Sequence, residues 1–420
     1  MRLTFPYIFK PNSIQKEIIE DIMWHCEKVY NTINYDIYQG KEKISLEKSL
    51  NIQSSKIYKK YREENWHSRY LHSHTLLEVI LNCVSDHKSY LALKEKYNNG
   101  DKNIKGKPKK PKYKNAGKIQ ITFTKYAIRL EENTLKLSIS KEMQEKFKVK
   151  SLNFLIPKKL KKLVNFSEIK MIKIRKDKEN KYKMEMIYEK EEKAKEGTNV
   201  MAIDLGLNNL ATCTNMNNNT TLIIAGESIK SKIGYYNKEI QRLEGIQMKM
   251  IGNKKYKNTR QIEKLYRKRK KYCKTYMHKA SRIIVNYTIE NECDRIIIGN
   301  IKNIKQEMKN NKRFVEMPIQ ELVQKIKYKA EIEGKEVILV EESYTSGVSS
   351  IDKEEIKKEN YDKTRRIKRG LFRTNTGKLI NSDINGSLNI LRKYIKSFSP
   401  NLEIAMDIGR EQRPLKKRVA

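Results

Sequence analysis

Residues 199–215 read NVMAIDLGLNNLATCTN. The apolar run Val200–Ile203 ends in Asp204, followed by Leu-Gly. A charge at the end of a buried strand is costly unless it is paired or bound to a metal. TTLIIAG (220–226) follows and reads as a neighbouring strand, with Asn-rich turn material in between. From Tyr235 to about Glu290 the chain is helical and very basic. Two more strand candidates, RIIIGN (295–300) and EVILVEES (336–343), flank the helical IQELVQKIKYKAEIEG (319–334). INSDINGSLNILRKY (380–394) then resumes helical periodicity.

Strands first, then helix, strand, helix, strand, helix: this order suits an RNase H-like α/β layer. Carboxylates stand at three places in it. Asp204 closes the first strand, Glu341 and Glu342 close EVILVEES, and Asp383 opens the last helix. Each has a plain alternative. A strand end can be solvated, and an Asp at a helix start is a common cap. Taken together the three places could hold two Mg²⁺ ions, hard cations that favour oxygen ligands. Such a pair serves in-line phosphodiester hydrolysis. Strand alternation sends Glu341 and Glu342 to opposite faces, so one of them is expected to face the metals. Ser346 and Thr345, close beyond, are expected either to line the site or, more commonly, to bond their own turn.

The N-terminal half has a different texture. MRLTFPYIFKPN alternates as a strand does, and Pro11, Asn12 and Ser13 signal a helix start. Ile14, Ile18, Ile22, Val29 and Ile33 form one helical stripe; Leu76, Leu77, Ile80, Leu81 and Val84 form another. Residues 12–97 thus read as a helical unit. Short strand-like pieces continue to about residue 190, and with the first strand they predict a small β-barrel. Between these regions lies the Pro-rich stretch Lys105–Lys114, too rich in proline for a helix. It reads as an extended basic strap on a phosphate backbone, or as a charged linker.

Charge points the same way. The 420 residues carry 90 Lys+Arg against 50 Asp+Glu, a formal net charge of +40, with 38% hydrophobic residues to form cores. A polyanion is the partner this implies. The five cysteines form no C-x-x-C pair, which argues against a zinc ribbon or a disulfide framework. No apolar run of membrane-spanning length appears, so a soluble, cytoplasmic protein is expected, with no membrane partner.

The motifs NIKGKPKKPKYKNAGKIQITFT, MAIDLGLNNLATCTN, GYYNKEI, HKASRIIV, IIIGNIKNIKQE, YKAE, EESYTSG, RRIKRGLF and INSDINGSLNIL occur in one order. From roughly Met1 to Tyr394 the chain resembles the TnpB/OrfB family. These are transposon-encoded RNA-guided nucleases related to miniature type V CRISPR effectors. The resemblance implies an α+β multidomain fold. A wedge-like β-barrel (residues 1–11 and 98–195) would hold an inserted helical recognition unit (12–97). A RuvC-like, RNase H-fold α/β nuclease domain (196–395) and a basic tail (396–420) would follow. It implies a Mg²⁺-dependent endonuclease that binds a transposon-derived guide RNA and cleaves complementary DNA beside a short flanking motif. Guide RNA and target DNA are the expected partners, with a transposase of the same element or a second copy of the chain as further candidates. Asp204 and Asp383 match the first and third catalytic carboxylates, with Asn385 in the D-x-N pattern beside the third.

Two departures follow from the comparison of motifs. Most relatives carry a glutamate where Gly299 ends RIIIGN, so Glu341 or Glu342 on the neighbouring strand is the expected replacement. Many relatives also carry two C-x-x-C pairs in the insert that corresponds to residues 345–378; here it has no cysteine, and no zinc is expected. Within it, Arg365, Arg366, Lys368 and Arg369 are expected to face nucleic acid, or to be part of a solvated basic loop. The other expected contacts are Lys105, Lys107, Lys109, Lys110, Lys112, Tyr113, Lys114, Arg267, Arg269, His278 and Lys279. The competing readings are a nuclease-inactive RNA-guided DNA-binding repressor, supported by Gly299, and an unguided RNA-binding structural protein.

Overall fold

The computed structural model describes residues 2–101, 103–104, 106–115, 117, 119–156, 168–177, 181–189, 199–215, 221–251, 258–300, 317–368, 370–398 and 414–419. They fall into two compact units, Met1–Lys190 and Glu191–Ala420.

In the first unit, strand β1 (Arg2–Phe9) leads into helix α1 (Ser13–Tyr38). The helix starts where the sequence signals it: Asn12 Oδ1 accepts from the Gln15 backbone N–H at 2.8 Å, and Gln15 Oε1 accepts from that of Asn12 at 2.9 Å. This reciprocal pair satisfies two donors that the first turn leaves open. Helices α2 (Leu50–Glu64), α3 (Trp66–Arg69) and α4 (Ser73–Asn98) follow. The expected stripes are buried at Ile18, Ile22, Val29 and Ile33 of α1 and at Leu76, Ile80 and Val84 of α4, whereas Ile14 is exposed.

Beyond them run β2 (Ile121–Thr124), β3 (Ile128–Glu131), β4 (Thr134–Ser138), α5 (Lys141–Phe147), β5 (Ser151–Leu155), β6 (Ile169–Lys176) and β7 (Tyr182–Glu189). Their pairing departs from the expected barrel. Among the described residues they make two sheets, ordered β1-β7-β6-β2 and β3-β4-β5, and neither closes. A 3₁₀ turn at Lys125–Ala127 separates β2 from β3, so the chain changes sheets there.

The second unit is built on a six-stranded sheet. Its strands are β8 (Val200–Leu205), β9 (Asn209–Asn215), β10 (Thr221–Ala225), β11 (Arg295–Asn300), β12 (Glu336–Glu341) and β15 (Leu415–Lys417), in the order β12-β11-β8-β9-β10-β15. β8, β9 and β10 are antiparallel neighbours, whereas β11 lies parallel to both β8 and β12. Helices α6 (Glu227–Ile251), α7 (Arg260–Glu290) and α8 (Ile319–Ile332) connect them. A hairpin, β13 (Leu371–Arg373) with β14 (Leu379–Asn381), precedes helix α9 (Ser382–Phe398).

Period-two alternation divides the sheet between two cores. Met201, Ile203, Ile296 and Ile298 pack with side chains of α7 and α8. Val200, Ala202 and Ile297 pack with Ile390, Leu391, Tyr394 and Ile395 of α9, joined by Ile338 and Val340. Extending that second set by two residues along each strand gives Asp204, Gly299 and Glu342. One face of one sheet end therefore collects an acid, a gap and an acid beneath α9.

Candidate functional site

Gly299 and Glu342 fit together as space and occupant. The parallel register sets Gly299 opposite Val340, two residues before Glu342. A Cβ placed on Gly299 would lie 2.6 Å from Glu342 Cγ and 2.7 Å from its Cδ. The glutamate thus fills the volume that a side chain at position 299 would need. Glu341 points elsewhere: it is exposed, and its Oε1 accepts from the Ser343 hydroxyl at 2.7 Å. Thr345 bonds its own turn, its hydroxyl donating to the Glu342 carbonyl at 2.9 Å. Ser346 is half-buried in the same loop.

Asp383 lies in the first turn of α9. Capping there falls to Asn381, whose Oδ1 accepts from the backbone N–H of Asp383 at 2.9 Å and of Ile384 at 3.3 Å. The Asp383 carboxylate is instead held from the sheet, where Asn209 Nδ2 donates to its Oδ2 at 2.7 Å. One turn along, Gly386 lets α9 approach Asp204 closely: a Cβ there would come 2.6 Å from Asp204 Oδ2. Asn385 and Asn389, both fully buried, tie the loop after β12 to the helix. Asn385 Nδ2 donates to the Val348 carbonyl at 2.8 Å, and Asn389 Nδ2 donates to the Thr345 carbonyl at 2.9 Å.

The electrostatics of this pocket are unbalanced. Burial, then the negative charges of Glu342 and Asp383, push the Asp204 carboxyl well above the usual carboxylate range; Arg366 and the Leu205 backbone N–H oppose this only in part. Burial pushes the Glu342 carboxyl up to about 7. Its Oε1 is buried without a hydrogen-bond partner. Among the described residues, no group of three or more His, Cys, Asp or Glu side chains is already gathered as a metal cage. What the residues provide is buried, uncompensated negative charge on oxygen ligands, a donor set suited to a hard divalent cation.

The insert is tied together by a different set of contacts. Arg365 Nη1 donates to Glu354 Oε1 at 2.9 Å and Oε2 at 2.7 Å, and Nη2 reaches Asp352 Oδ2 at 3.4 Å. Arg365 Nε donates to the Arg373 carbonyl at 3.1 Å, and the guanidinium lies 4.9 Å from the centre of the Phe372 ring. Asn375 Nδ2 also donates to Glu354, and the Ser349 N–H donates to Glu354 Oε2 at 2.8 Å. The expectation that Arg365 faces nucleic acid is corrected by this: its side chain is 12% exposed and spent on internal partners. Arg366 and Lys368 are exposed, and Arg369 lies outside the described residues.

The remaining basic candidates divide similarly. Lys107, Lys109, Lys110, Lys112 and Tyr113 are exposed on an extended segment, and Lys105 lies outside the described residues. That segment is seated on α1 and α4: the Lys114 backbone N–H donates to Asn31 Oδ1 at 2.8 Å, and Lys114 Nζ pairs with Asp86 at 3.0 Å. Arg267 and Lys279 are exposed on α7, while Arg269 donates to Asn237. His278 is half-buried, and burial together with Lys325, Lys329 and Lys274 depresses its pKa to about 4, so at neutral pH it offers no positive charge to phosphate. Sequence reading missed Asn209, Gly386 and Asn389. The glycine within DINGS, inside a helical stretch, was a visible signal for the second; the other two depend on strand-to-helix contacts between distant segments.

A family model described as a probable transposase, OrfB_IS605, matches residues 181–305, and the Cas12f1-like TNB domain matches residues 320–390. TnpB-like protein ORF457 of Acidianus two-tailed virus is 28% identical over 204 residues, covering 47% of this chain and 42% of that one. The match therefore spans less than half the length of that relative. A cryo-EM structure of a Cas12f1–sgRNA–target DNA complex superposes with a TM-score of 0.58 at 16% identity, covering 89% of this chain and 82% of that one. The fold is thus a mixed α/β multidomain architecture of the Cas12f kind. The chain is thus similar to TnpB-like proteins, and over residues 320–390 to the Cas12f1-like TNB domain. Among the described residues no helix is long and apolar enough to cross a membrane.

Proposed function

We propose that the chain is an RNA-guided DNA endonuclease of the TnpB type, cutting by two-metal-ion phosphodiester hydrolysis in a RuvC-like, RNase H-fold domain. The strand order β10-β9-β8-β11-β12, antiparallel then parallel, supports that fold reading. The observation that carries the function is Glu342 lying in the space left by Gly299, on the sheet face that bears Asp204. It supplies a carboxylate where the usual one is missing, and so removes the support that Gly299 lent to an inactive repressor.

Asp204, Glu342 and Asp383 would hold Mg²⁺. The bound ions supply charge that favours hydroxide formation and stabilises the leaving oxygen. The chain's own part is positional. Asn209 holds Asp383, Gly386 admits Asp204 against the helix, and Asn385 and Asn389 fix the loop beyond Glu342. Guide RNA and target DNA are the partners, met by the exposed lysines of residues 107–112 and by Arg267, Lys279, Arg366 and Lys368. The domain reading is a wedge-like region (1–11 and 98–195), a recognition unit (12–97) and a nuclease domain (196–395).

A guided cleavage assay in Mg²⁺ tests this directly. Asp204→Ala and Glu342→Gln are expected to abolish cutting while guided target binding survives, and Glu341→Gln is expected to cut normally. An inert wild type, or Glu342→Gln cutting as well as wild type, would overturn the reading.

A further inference from the structure

The chain has two tryptophans, and both sit in one aromatic cluster on the first unit. Trp24 on α1 and Trp66 on α3 each meet the His67 ring edge-to-face, at 4.9 and 4.8 Å. His25 stacks on Tyr70 at 4.3 Å with an interplanar angle of 3°, and its Nδ1 lies 3.1 Å from His67 Nδ1. Tryptophan is the costliest side chain to leave in water, yet Trp24 is 39% and Trp66 51% exposed. Two such rings, each against His67, form a surface that calls for a partner.

The chemistry around the cluster selects that partner. Lys28 Nζ lies 5.7 Å from the centre of the Trp24 ring, and Arg69, next to Tyr70 in sequence, is exposed. Lys146 lies 5.9 Å from the Tyr70 ring centre, with its ammonium on Asp21 at 2.7 Å. A second copy of a +40 chain is repelled from such a face. An unpaired nucleotide suits it, with a flat π face for the rings and a phosphate for the cations. A duplex hides its base faces within the stack. Burial also keeps both histidines of the cluster neutral near pH 7, the His25 pKa falling to about 4.

We propose that Trp24 and Trp66, on their His25–His67–Tyr70 support, are a stacking platform for unpaired bases of the RNA that the chain carries. The proposal rests on the RNA-guided reading above, but its test does not use cleavage. Because the chain has no other tryptophan, intrinsic tryptophan emission reports on this surface alone. An adenylate RNA of about eight nucleotides is expected to quench it at saturation, with binding followed separately by anisotropy of a labelled strand. An abasic ribose-phosphate chain of equal length should bind through its charge and leave emission unchanged. Trp66→Ser and Trp24→Ser, with melting curves to show that they fold, should each weaken RNA binding roughly tenfold; Trp66→Phe should keep most of it.

Saturating RNA without quenching would overturn the platform and leave the nuclease reading intact. Equal quenching by the abasic chain would also overturn it, since charge alone would then suffice. Emission that changes with protein concentration and no RNA would assign the face to a second copy instead. Cleavage lost with quenching intact would sink the nuclease reading and leave the platform standing.

Discussion

Asp352 and Glu354 meet Arg365; Asp204 feels the negative charge of Glu342. Both pairs of acids lie in the second unit, and both are largely withdrawn from water. In the insert, Arg365 Nη1 donates to both oxygens of Glu354, and Asn375 and the Ser349 N–H donate to them as well. At the sheet end Glu342 Oε1 has no donor, and the charges of Glu342 and Asp383 add to the cost of ionising the buried Asp204. A buried charge persists when compensated and otherwise shifts its pKa or binds an ion. The insert is complete as it stands. The sheet end is short of positive charge, which under the proposed function a divalent cation would supply.

The largest effect expected from breaking this contrast is on catalysis. Gly299→Ala pushes a Cβ into the Glu342 side chain, whose Cγ lies only 2.6 Å from that position. The obstructing group is the end of a flexible side chain, so it can swing away at little cost to the fold. The carboxylate then leaves its place beside Asp204. Cleavage is expected to fall by about a hundredfold or more, with the melting temperature almost unchanged. Gly299→Glu combined with Glu342→Ala would return a carboxylate to the same volume and restore part of the activity. Guided cleavage rates and thermal melts of wild type and the two variants decide it; a Gly299→Ala enzyme of wild-type activity would refute the fit of space and occupant.

The second test turns on the insert. Arg365→Met leaves Glu354 and Asp352 facing each other without a cation, at a cost of about 3–5 kcal/mol. The insert should become sensitive to protease while the rest of the unit holds, and a metal chelator should leave the wild-type insert unaffected. Neutralising the acids as well, with Glu354→Gln and Asp352→Asn, should recover much of the loss. If the single and triple variants are equally protease-sensitive, the acids are not what Arg365 compensates.

The same contrast explains which parts of the site could be read in advance. Asp204 and Asp383 are legible because each stands at the end of an apolar or periodic run, where a charge is conspicuous. The glutamate pair is legible as a pair only. Alternation separates Glu341 from Glu342, but choosing between them requires knowing that Ile338 and Val340 share a face with Ala202 and Ile297. That is a fact of register across three strands. Gly299 reads in sequence as a missing acid; only packing reveals it as room for another. Arg365 and Arg366 are adjacent and chemically identical, yet one turns inward to Glu354 and the other keeps an exposed charge that is felt at Asp204. The β-barrel expectation fails for a related reason, since alternation identifies strands but not their partners. The strand Leu415–Lys417 escaped altogether, being three residues of a charged tail that gain strand identity only by lying parallel to β10.

A third buried charge in the second unit reverses the sign and has the smallest expected effect. Lys329 on α8 is 4% exposed and donates only to neutral acceptors, the His278 carbonyl at 2.6 Å and the Ser281 hydroxyl at 2.7 Å. Burial, with the nearby charges of Arg282 and Lys325, lowers its pKa from 10.5 to about 8. Below pH 8 both folded and unfolded chains hold the proton, so the desolvation cost is present in full and constant. Between pH 8 and 10.5 the unfolded chain binds more protons than the folded one, and the contribution to stability rises with pH. Lys329→Met removes the charge, while the Ser281 hydroxyl still donates to the His278 carbonyl at 3.1 Å. The variant is therefore expected to be more stable than wild type by about 1–3 kcal/mol at pH 7, with the gap closing as pH climbs toward 10.5. Urea unfolding of both proteins across that range measures the gap. A gap independent of pH would mean that the two hydrogen bonds compensate the ammonium fully, placing Lys329 with the insert rather than with the unpaired acids.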